Sequence, residues 1–130
     1  MYQYNPLTSQ LRLVDDKTKK SSGYVFHIRP KEKDGTIPHF HIYTENENKK
    51  SKKYFECCIR FDKCDYWNHE KYHSPLNSKD KIKVVNFLKS KIKSNYTIWN
   101  YLKDQWNLAY PNHKVTNRMP DYSKLDTSGT

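Results

Sequence analysis

Glycine and alanine are both scarce in this 130-residue chain, which contains three glycines and one alanine. The glycines are isolated at positions 23, 35 and 129, so there is no Gly-rich loop of the kind that cradles nucleotide phosphates. No apolar run is long enough to span a membrane, and no apolar core of a signal peptide follows the first methionine. These absences argue against a Walker-type nucleotide-hydrolysing enzyme, and they predict a cytoplasmic protein with no membrane partner.

Cysteine is uncommon, and its number and spacing are those of free thiols. The three cysteines are Cys57, Cys58 and Cys64, and no Cys-x-x-Cys pair is present. An odd number of cysteines without a signal peptide predicts reduced thiols. The chain also lacks the Gly-x-Ser-x-Gly motif of serine hydrolases.

Basic residues are abundant, and most of them are lysine. The chain has 24 Lys and Arg against 14 Asp and Glu, a net charge of +10, and only four of the basic residues are Arg. Codon bias in an A/T-rich genome explains part of this excess without any anionic partner. A true basic surface would favour nucleic acid, an acidic protein or an anionic small molecule. Because Lys is a point charge without a bidentate fork, it favours the phosphate backbone over base edges.

Hydrophobic periodicity predicts strands first and helices second. Apolar residues alternate over residues 11–14, 24–29, 38–44 and 54–61, as in half-buried strands. The period then changes to that of helices over 79–93, with Ser78 as N-cap, and over 97–109. The predicted fold class is α+β, a small antiparallel sheet of three to four strands with two helices packed on one face. We expect one domain over residues 1–111 and an irregular polar tail over 112–130.

The strand residues separate into an apolar face and a polar face. The apolar face, which includes Phe26, Phe40, Cys57 and Ile59, is expected to be the core beneath the helices, to which Trp99 and Trp106 also belong. The opposite face collects His27, Arg29, His39, His41, Tyr43, Tyr54, Glu56, Cys58 and Arg60.

This polar face has the residue types of a metal-independent ribonuclease. We predict that His39 and His41 transfer protons, and that Arg29 and Arg60 clamp the phosphate while Tyr43 assists. Two other interpretations stay open. A solvated sheet face carries polar residues at alternate positions without any function, and the same face could bind a partner without chemistry.

A metal is the other use for these histidines. His39 and His41 lie on one side of a strand, His69 and His73 are spaced for one face of a helix, and Cys64 is close in sequence. Because no Asp follows them at a fixed diagnostic offset, we predict neither a metal nor another cofactor.

Two further groups of residues are predicted to bind a partner. The first helix carries a basic stripe, which a basic loop would extend along a phosphate backbone. Aromatic residues of the connector form a second contact patch. The alternative for the stripe is a solvated helix face. The predicted binding residues are Lys79, Lys83, Lys89 and Lys93 of the helix, Lys49, Lys50, Lys52 and Lys53 of the loop, and Trp67 and Tyr72 of the connector.

The string Ile-Pro-His-Phe-His-Ile at residues 37–42 precedes a strand and then two helices, with Trp106 near the end. This order resembles a family of small bacterial and phage domains of unknown function whose hallmark is a Pro-His-x-His strand. The resemblance covers residues 24–109 and implies a mobile-element or toxin–antitoxin-like setting. It implies no activity, because the family has none that is agreed.

The leading hypothesis is therefore a small basic protein of a phage, mobile element or toxin–antitoxin-like locus. It would act on the backbone of RNA or DNA, or on a host or defence nucleoprotein, with a small protein partner also open. One alternative is a metal-independent endoribonuclease-like toxin that uses the His/Arg/Tyr face. The other is a non-catalytic inhibitor that binds a host or defence protein.

Overall fold

The computed structural model describes residues 2–5, 10–15, 20–29, 37–44, 56–67 and 74–127. Within these ranges five strands come first, and helices and a hairpin follow. The strands are β1 (Tyr2–Asn5), β2 (Gln10–Asp15), β3 (Lys20–His27), β4 (His39–Thr44) and β5 (Glu56–Arg60). After them come α1 (Ser78–Lys89), β6 (Lys91–Lys93), β7 (Tyr96–Thr97), α2 (Ile98–Ala109) and a 3-10 helix (Tyr122–Lys124).

The first five strands form one antiparallel sheet in sequence order. The predicted α+β class is confirmed, but the prediction of three to four strands with two helices on one face is not. The sheet has five strands, and β6 and β7 form a separate two-stranded sheet. The sequence did not indicate β1 or the first half of β3, because β1 is only four residues long and residues 20–23 include no apolar side chain.

The core lies on the apolar face of the sheet, as predicted. Phe26 and Phe40 stack with ring centroids 6.2 Å apart, and Phe61 meets the ring of Trp99 at 5.9 Å. Each large apolar side chain buried in this way contributes about 1.5–3 kcal/mol. The cluster unites the sheet, both helices and the C-terminal segment, and its largest members are Phe26, Phe40, Phe61, Trp99, Trp106 and Tyr122.

Helix α1 begins and ends at positions that differ from the prediction. Its N-cap is Asn77, whose side chain accepts a hydrogen bond from the Asp80 N–H at 2.7 Å. It ends at Lys89 rather than at position 93, because Lys91–Lys93 pairs with β7 in a hairpin. The turn of that hairpin holds Asn95 at φ 59°, a conformation that asparagine tolerates.

The buried side of α1 also differs from the apolar stripe that the helical period predicts, which consists of Ile82, Val85, Leu88 and Ile92. Val84, Val85 and Leu88 are buried, whereas Ile82 is 60% exposed. Ile92, predicted to continue the stripe, lies in β6 and is 38% exposed. Helix α2 follows its prediction more closely, with Thr97 as N-cap and with Trp99, Leu102 and Trp106 buried. Neither of these helices is long and apolar enough to cross a bilayer, and the described residues contain no other candidate.

The C-terminal segment has little regular structure, but it contributes to the core. Val115, Tyr122 and Leu125 are buried in it. The Tyr122 hydroxyl donates to the carbonyl oxygen of Arg60 at 2.5 Å and accepts from Trp99 Nε1 at 3.1 Å. Residues 112–127, expected to be a polar tail, therefore connect α2 to the end of β5.

Replacing Tyr122 by Phe removes this hydroxyl while keeping the ring. We expect the free energy of unfolding to fall by about 1–3 kcal/mol, because the buried indole N–H of Trp99 loses its acceptor. Urea denaturation measures the change. Tyr96→Phe is the matched control, since its exposed hydrogen bond to Asp104 should cost less than about 0.5 kcal/mol. Equal losses in the two variants would contradict the role given to Tyr122.

Alkaline pH should destabilise the fold through its buried tyrosines. Burial raises the pKa of Tyr66 to about 12, whereas a tyrosine in an unfolded chain ionises at about pH 10. The contribution of Tyr66 to stability is therefore complete below pH about 10 and is lost as the pH rises to about 12. Melting temperatures across this window measure the decline. Tyr66→Phe should make it shallower without abolishing it, because burial also raises the pKa of Tyr24 and of Tyr122. Identical declines would exclude Tyr66 as a contributor.

Candidate metal centre

Two neighbouring strands bring two histidines and a cysteine together. His39 and His41 are two residues apart in β4 and therefore share one face of the sheet. The antiparallel register places Cys58 of β5 directly opposite His41. On the other side of β4, His27 of β3 is the backbone partner of His41. Strand pairing thus unites residues that are far apart in sequence.

The donor atoms of His39, His41 and Cys58, which we call the His/Cys cluster, are close enough to share one ion. All three lie within 4.8 Å of one another. Cys58 Sγ is 3.1 Å from His41 Nδ1, and the two imidazole rings meet edge to face with centroids 5.0 Å apart. A tetrahedral ion with bonds of about 2.0 Å to nitrogen and about 2.3 Å to sulfur holds its donors roughly 3.3–3.6 Å apart. Small side-chain adjustments would therefore complete the coordination.

The orientation of His39 is that of a metal ligand. Its Nδ1 donates a hydrogen bond to the carbonyl oxygen of Ile37 at 2.6 Å, which leaves the unprotonated lone pair on Nε2. Metal-binding histidines commonly use the second ring nitrogen in this way, because the hydrogen bond fixes the tautomer and the ring orientation. The Trp106 ring lies 5.4 Å from the His39 ring and restricts its rotation.

The His/Cys cluster is buried, which the alternation of residues along the strands could not indicate. His39 is 1% exposed, and His41 and Cys58 are 0% exposed. One alternative from the sequence was that this face of the sheet is solvated. That interpretation is wrong at the centre of the sheet, where side chains on both faces are buried. Buried polar groups cost free energy unless they have partners. His41 and Cys58 already contact each other, and a bound ion would replace that contact by coordination to all three donors.

The two arginines that were predicted to clamp a phosphate already contact carboxylates. Arg60 donates to Asp62 through Nε at 2.8 Å and Nη2 at 2.7 Å, and these hydrogen bonds raise the pKa of Arg60 and lower that of Asp62. Arg29 Nη2 is 3.4 Å from Oε1 of the buried Glu56, the backbone partner of Tyr43. The two predicted phosphate clamps are thus neutralised within the protein. Catalysis by His39, His41, Tyr43, Arg29 and Arg60 stays a prediction.

Cys58 is the functional candidate that the sequence analysis missed as a ligand. Cys64, considered for that role, is not among the metal-competent residues of the described chain, whereas Cys58 is. The available signal was the alternation along β5, which puts Cys58 on the histidine face and Cys57 in the core. Its use as a ligand depends on the β4–β5 register, which one sequence does not give. His69 and His73 lie outside the described residues.

The predicted basic and aromatic binding residues are separate from the His/Cys cluster in sequence. Lys79, Lys83 and Lys89 are exposed along α1, and Lys93 is exposed in β6 rather than in the helix. Trp67 is partly buried next to β5, where its backbone N–H donates to the Cys58 carbonyl oxygen at 2.8 Å. The remaining predicted contacts, Lys49, Lys50, Lys52, Lys53 and Tyr72, lie outside the described residues.

Comparisons with protein-family models, with curated proteins and with solved structures found no match to this chain. The resemblance to Pro-His-x-His domains is therefore neither supported nor opposed by a relative.

Thiol labelling of the native protein should distinguish the three cysteines. Cys57 and Cys58 are buried, whereas Cys64 is partly exposed. We expect an aromatic disulfide reagent to label one thiol per native chain, slowly because burial raises the pKa of Cys64. It should label all three thiols after unfolding in guanidinium. Cys64→Ser should abolish the native reaction, while Cys57→Ala should leave it unchanged. Rapid native labelling of Cys58 would contradict the buried cluster.

Proposed function

We propose that this chain is a metal-binding protein that holds one Zn²⁺ ion through His39, His41 and Cys58. The observation that carries the proposal is the convergence of two imidazoles and one thiol, all buried, with their donor atoms within 4.8 Å. Two nitrogen donors and one sulfur donor match the preference of zinc for imidazole and thiolate.

A catalytic cysteine is the competing use of the same residues, and two facts disfavour it. The Cys58–His41 contact of 3.1 Å is the spacing of a nucleophile and its base. However, both residues are fully buried, so a substrate outside the protein does not reach the sulfur. A Cys–His pair also gives no role to His39, whose Nδ1 hydrogen bond to Ile37 is the outer-shell contact typical of a metal ligand.

The bound ion would act mainly on the fold. Its ligands come from two paired strands, so coordination would hold β4 and β5 in one register. With only three donors from the described residues, the fourth position would take water or a ligand from elsewhere in the chain. Burial of these donors favours a structural ion over one that activates water for an external substrate.

Cobalt titration tests the proposal, because Co²⁺ substitutes for Zn²⁺ and reports its ligands by absorption. Protein dialysed against a chelator should bind one Co²⁺ per chain, with a thiolate-to-cobalt charge-transfer band, and Zn²⁺ should displace it. Cys58→Ser should remove the band, and His39→Gln should weaken binding by at least about tenfold. Circular dichroism of each variant checks that it is folded.

Two control variants separate coordination from packing. Cys57→Ala changes the neighbouring buried thiol on the opposite face of β5, and Cys64→Ser changes the partly exposed thiol. Both should bind Co²⁺ like the original protein. The proposal fails if the original protein binds no ion, or if Cys58→Ser keeps the charge-transfer band.

Stability gives a second measurement of the same site. At a free Zn²⁺ concentration about 100 times the dissociation constant, an ion bound only by the folded state stabilises it by about 2.7 kcal/mol. We expect Zn²⁺ to raise the melting temperature of the original protein and of Cys64→Ser, but not that of His41→Ala. An equal rise in all three proteins would exclude His41 as a ligand.

A further inference from the structure

The segment 79–97 concentrates positive charge on the surface. It contains six lysines and one acidic residue, and its net charge of +5 is half of the +10 of the whole chain. Lys79 and Lys83 are exposed in α1, and Lys91 and Lys93 are exposed in β6. We call these four lysines the basic surface. They are independent of the His/Cys cluster in both position and chemistry.

The lysines of this segment differ in what they contact. Lys81 donates to the carbonyl oxygens of Ser123 at 2.7 Å and Leu125 at 3.2 Å. Lys89 is near Asp121, whose pKa is lowered first by hydrogen bonds from Ser123 and then by the charges of Lys124 and Lys89. These two lysines are therefore used within the protein, although Lys89 belonged to the predicted stripe.

The side chains of the basic surface are available to a partner. Within the described part of the chain, Lys79, Lys83 and Lys91 form no ion pair or hydrogen bond, and Lys93 Nζ lies 5.2 Å from the centroid of the Tyr96 ring. The one acidic residue of the segment, Asp80, accepts a hydrogen bond from the Tyr24 hydroxyl. Its carboxylate is thus directed toward β3 rather than into an ion pair with a lysine of the basic surface.

The spacing of these charges fits a linear polyanion. Lys79 and Lys83 are one helical turn apart, about 6 Å along the same side of α1. Lys91 and Lys93 follow directly in the β6–β7 hairpin, whose residues 91–95 are all exposed. A two-stranded ribbon is narrow enough to enter a major groove, and lysine contacts phosphates without reading base edges.

We infer that the basic surface is a docking site for the phosphodiester backbone of a nucleic acid. The inference goes beyond metal binding and does not depend on it. A lipid surface fits less well, because membrane-bound helices carry a continuous apolar face. Here the exposed large apolar residues of the segment are Ile82 and Ile92, one in the helix and one in the hairpin.

Fluorescence anisotropy with labelled duplex DNA and single-stranded RNA, each in a salt series, tests the inference. Because each neutralised phosphate releases counterions, log K should fall linearly with log salt, by about 0.9 per contact for a duplex and about 0.7 for a single strand. The variant Lys79/Lys83/Lys91/Lys93→Gln should bind at least about tenfold more weakly at low salt. Its slope on duplex DNA should be smaller by up to about 3.6. Whichever nucleic acid the original protein binds more tightly, duplex DNA or single-stranded RNA, is identified as the natural form of the backbone.

A matched variant separates this surface from the net charge of the protein. Lys63, Lys114, Arg118 and Lys124 are exposed outside the segment, and their replacement by Gln lowers the net charge by the same four units. For this control, the slope of log K against log salt should equal that of the original protein to within one phosphate contact. Equal weakening of the two variants, a salt-independent affinity, or equal binding to polyglutamate or anionic vesicles would overturn the inference. Retained binding by His41→Ala would support a surface that acts separately from the metal site.

Discussion

The antiparallel pairing of β4 with β5 is the interaction on which the rest of the structure depends. It aligns Phe40 with Ile59 on one face and His41 with Cys58 on the other. A slip of one residue would move every side chain of a strand to the opposite face. The aromatic core and the His/Cys cluster would then be lost together, because imidazoles would enter the core and phenyl rings would replace the donors. The same few backbone hydrogen bonds therefore specify both the fold and the candidate site.

Alternation and helical periodicity predicted the α+β class, the four longer strands, the apolar face and the buried side of α2. They could not predict β1, which is only four residues long, or the end of α1, where Lys91–Lys93 pairs with Tyr96–Thr97. For the candidate site, the sequence predicted that the two histidines lie together but not that the cysteine joins them. Spacing alone put His39 and His41 on one side, but the proximity of Cys58 needed the strand register. The burial of that face needed knowledge of what covers the sheet, which a pattern within one strand does not contain.

The polar residues of the protein serve two different physical purposes. In the sheet, His39, His41, Cys58 and Glu56 are removed from water, and the arginines near them are held by carboxylates. On α1 and β6 the lysines remain in water, where their charge acts over a Debye length of about 8–10 Å. The +5 net charge of residues 79–97 thus lies outside the polar sheet face, which had first suggested phosphate chemistry. Metal binding and backbone binding would therefore respond to different variables, ion activity for one and ionic strength for the other.

The position of Tyr122 has a consequence for how the chain is made. Its ring meets Phe40 edge to face at 6.3 Å, and its hydroxyl connects Trp99 with the end of β5. The strands of the sheet are translated early, but their core is complete only when Tyr122, which is translated much later, packs against Phe40. Until that residue is in place, the aromatic surface that it covers on the sheet and on α2 stays open to water.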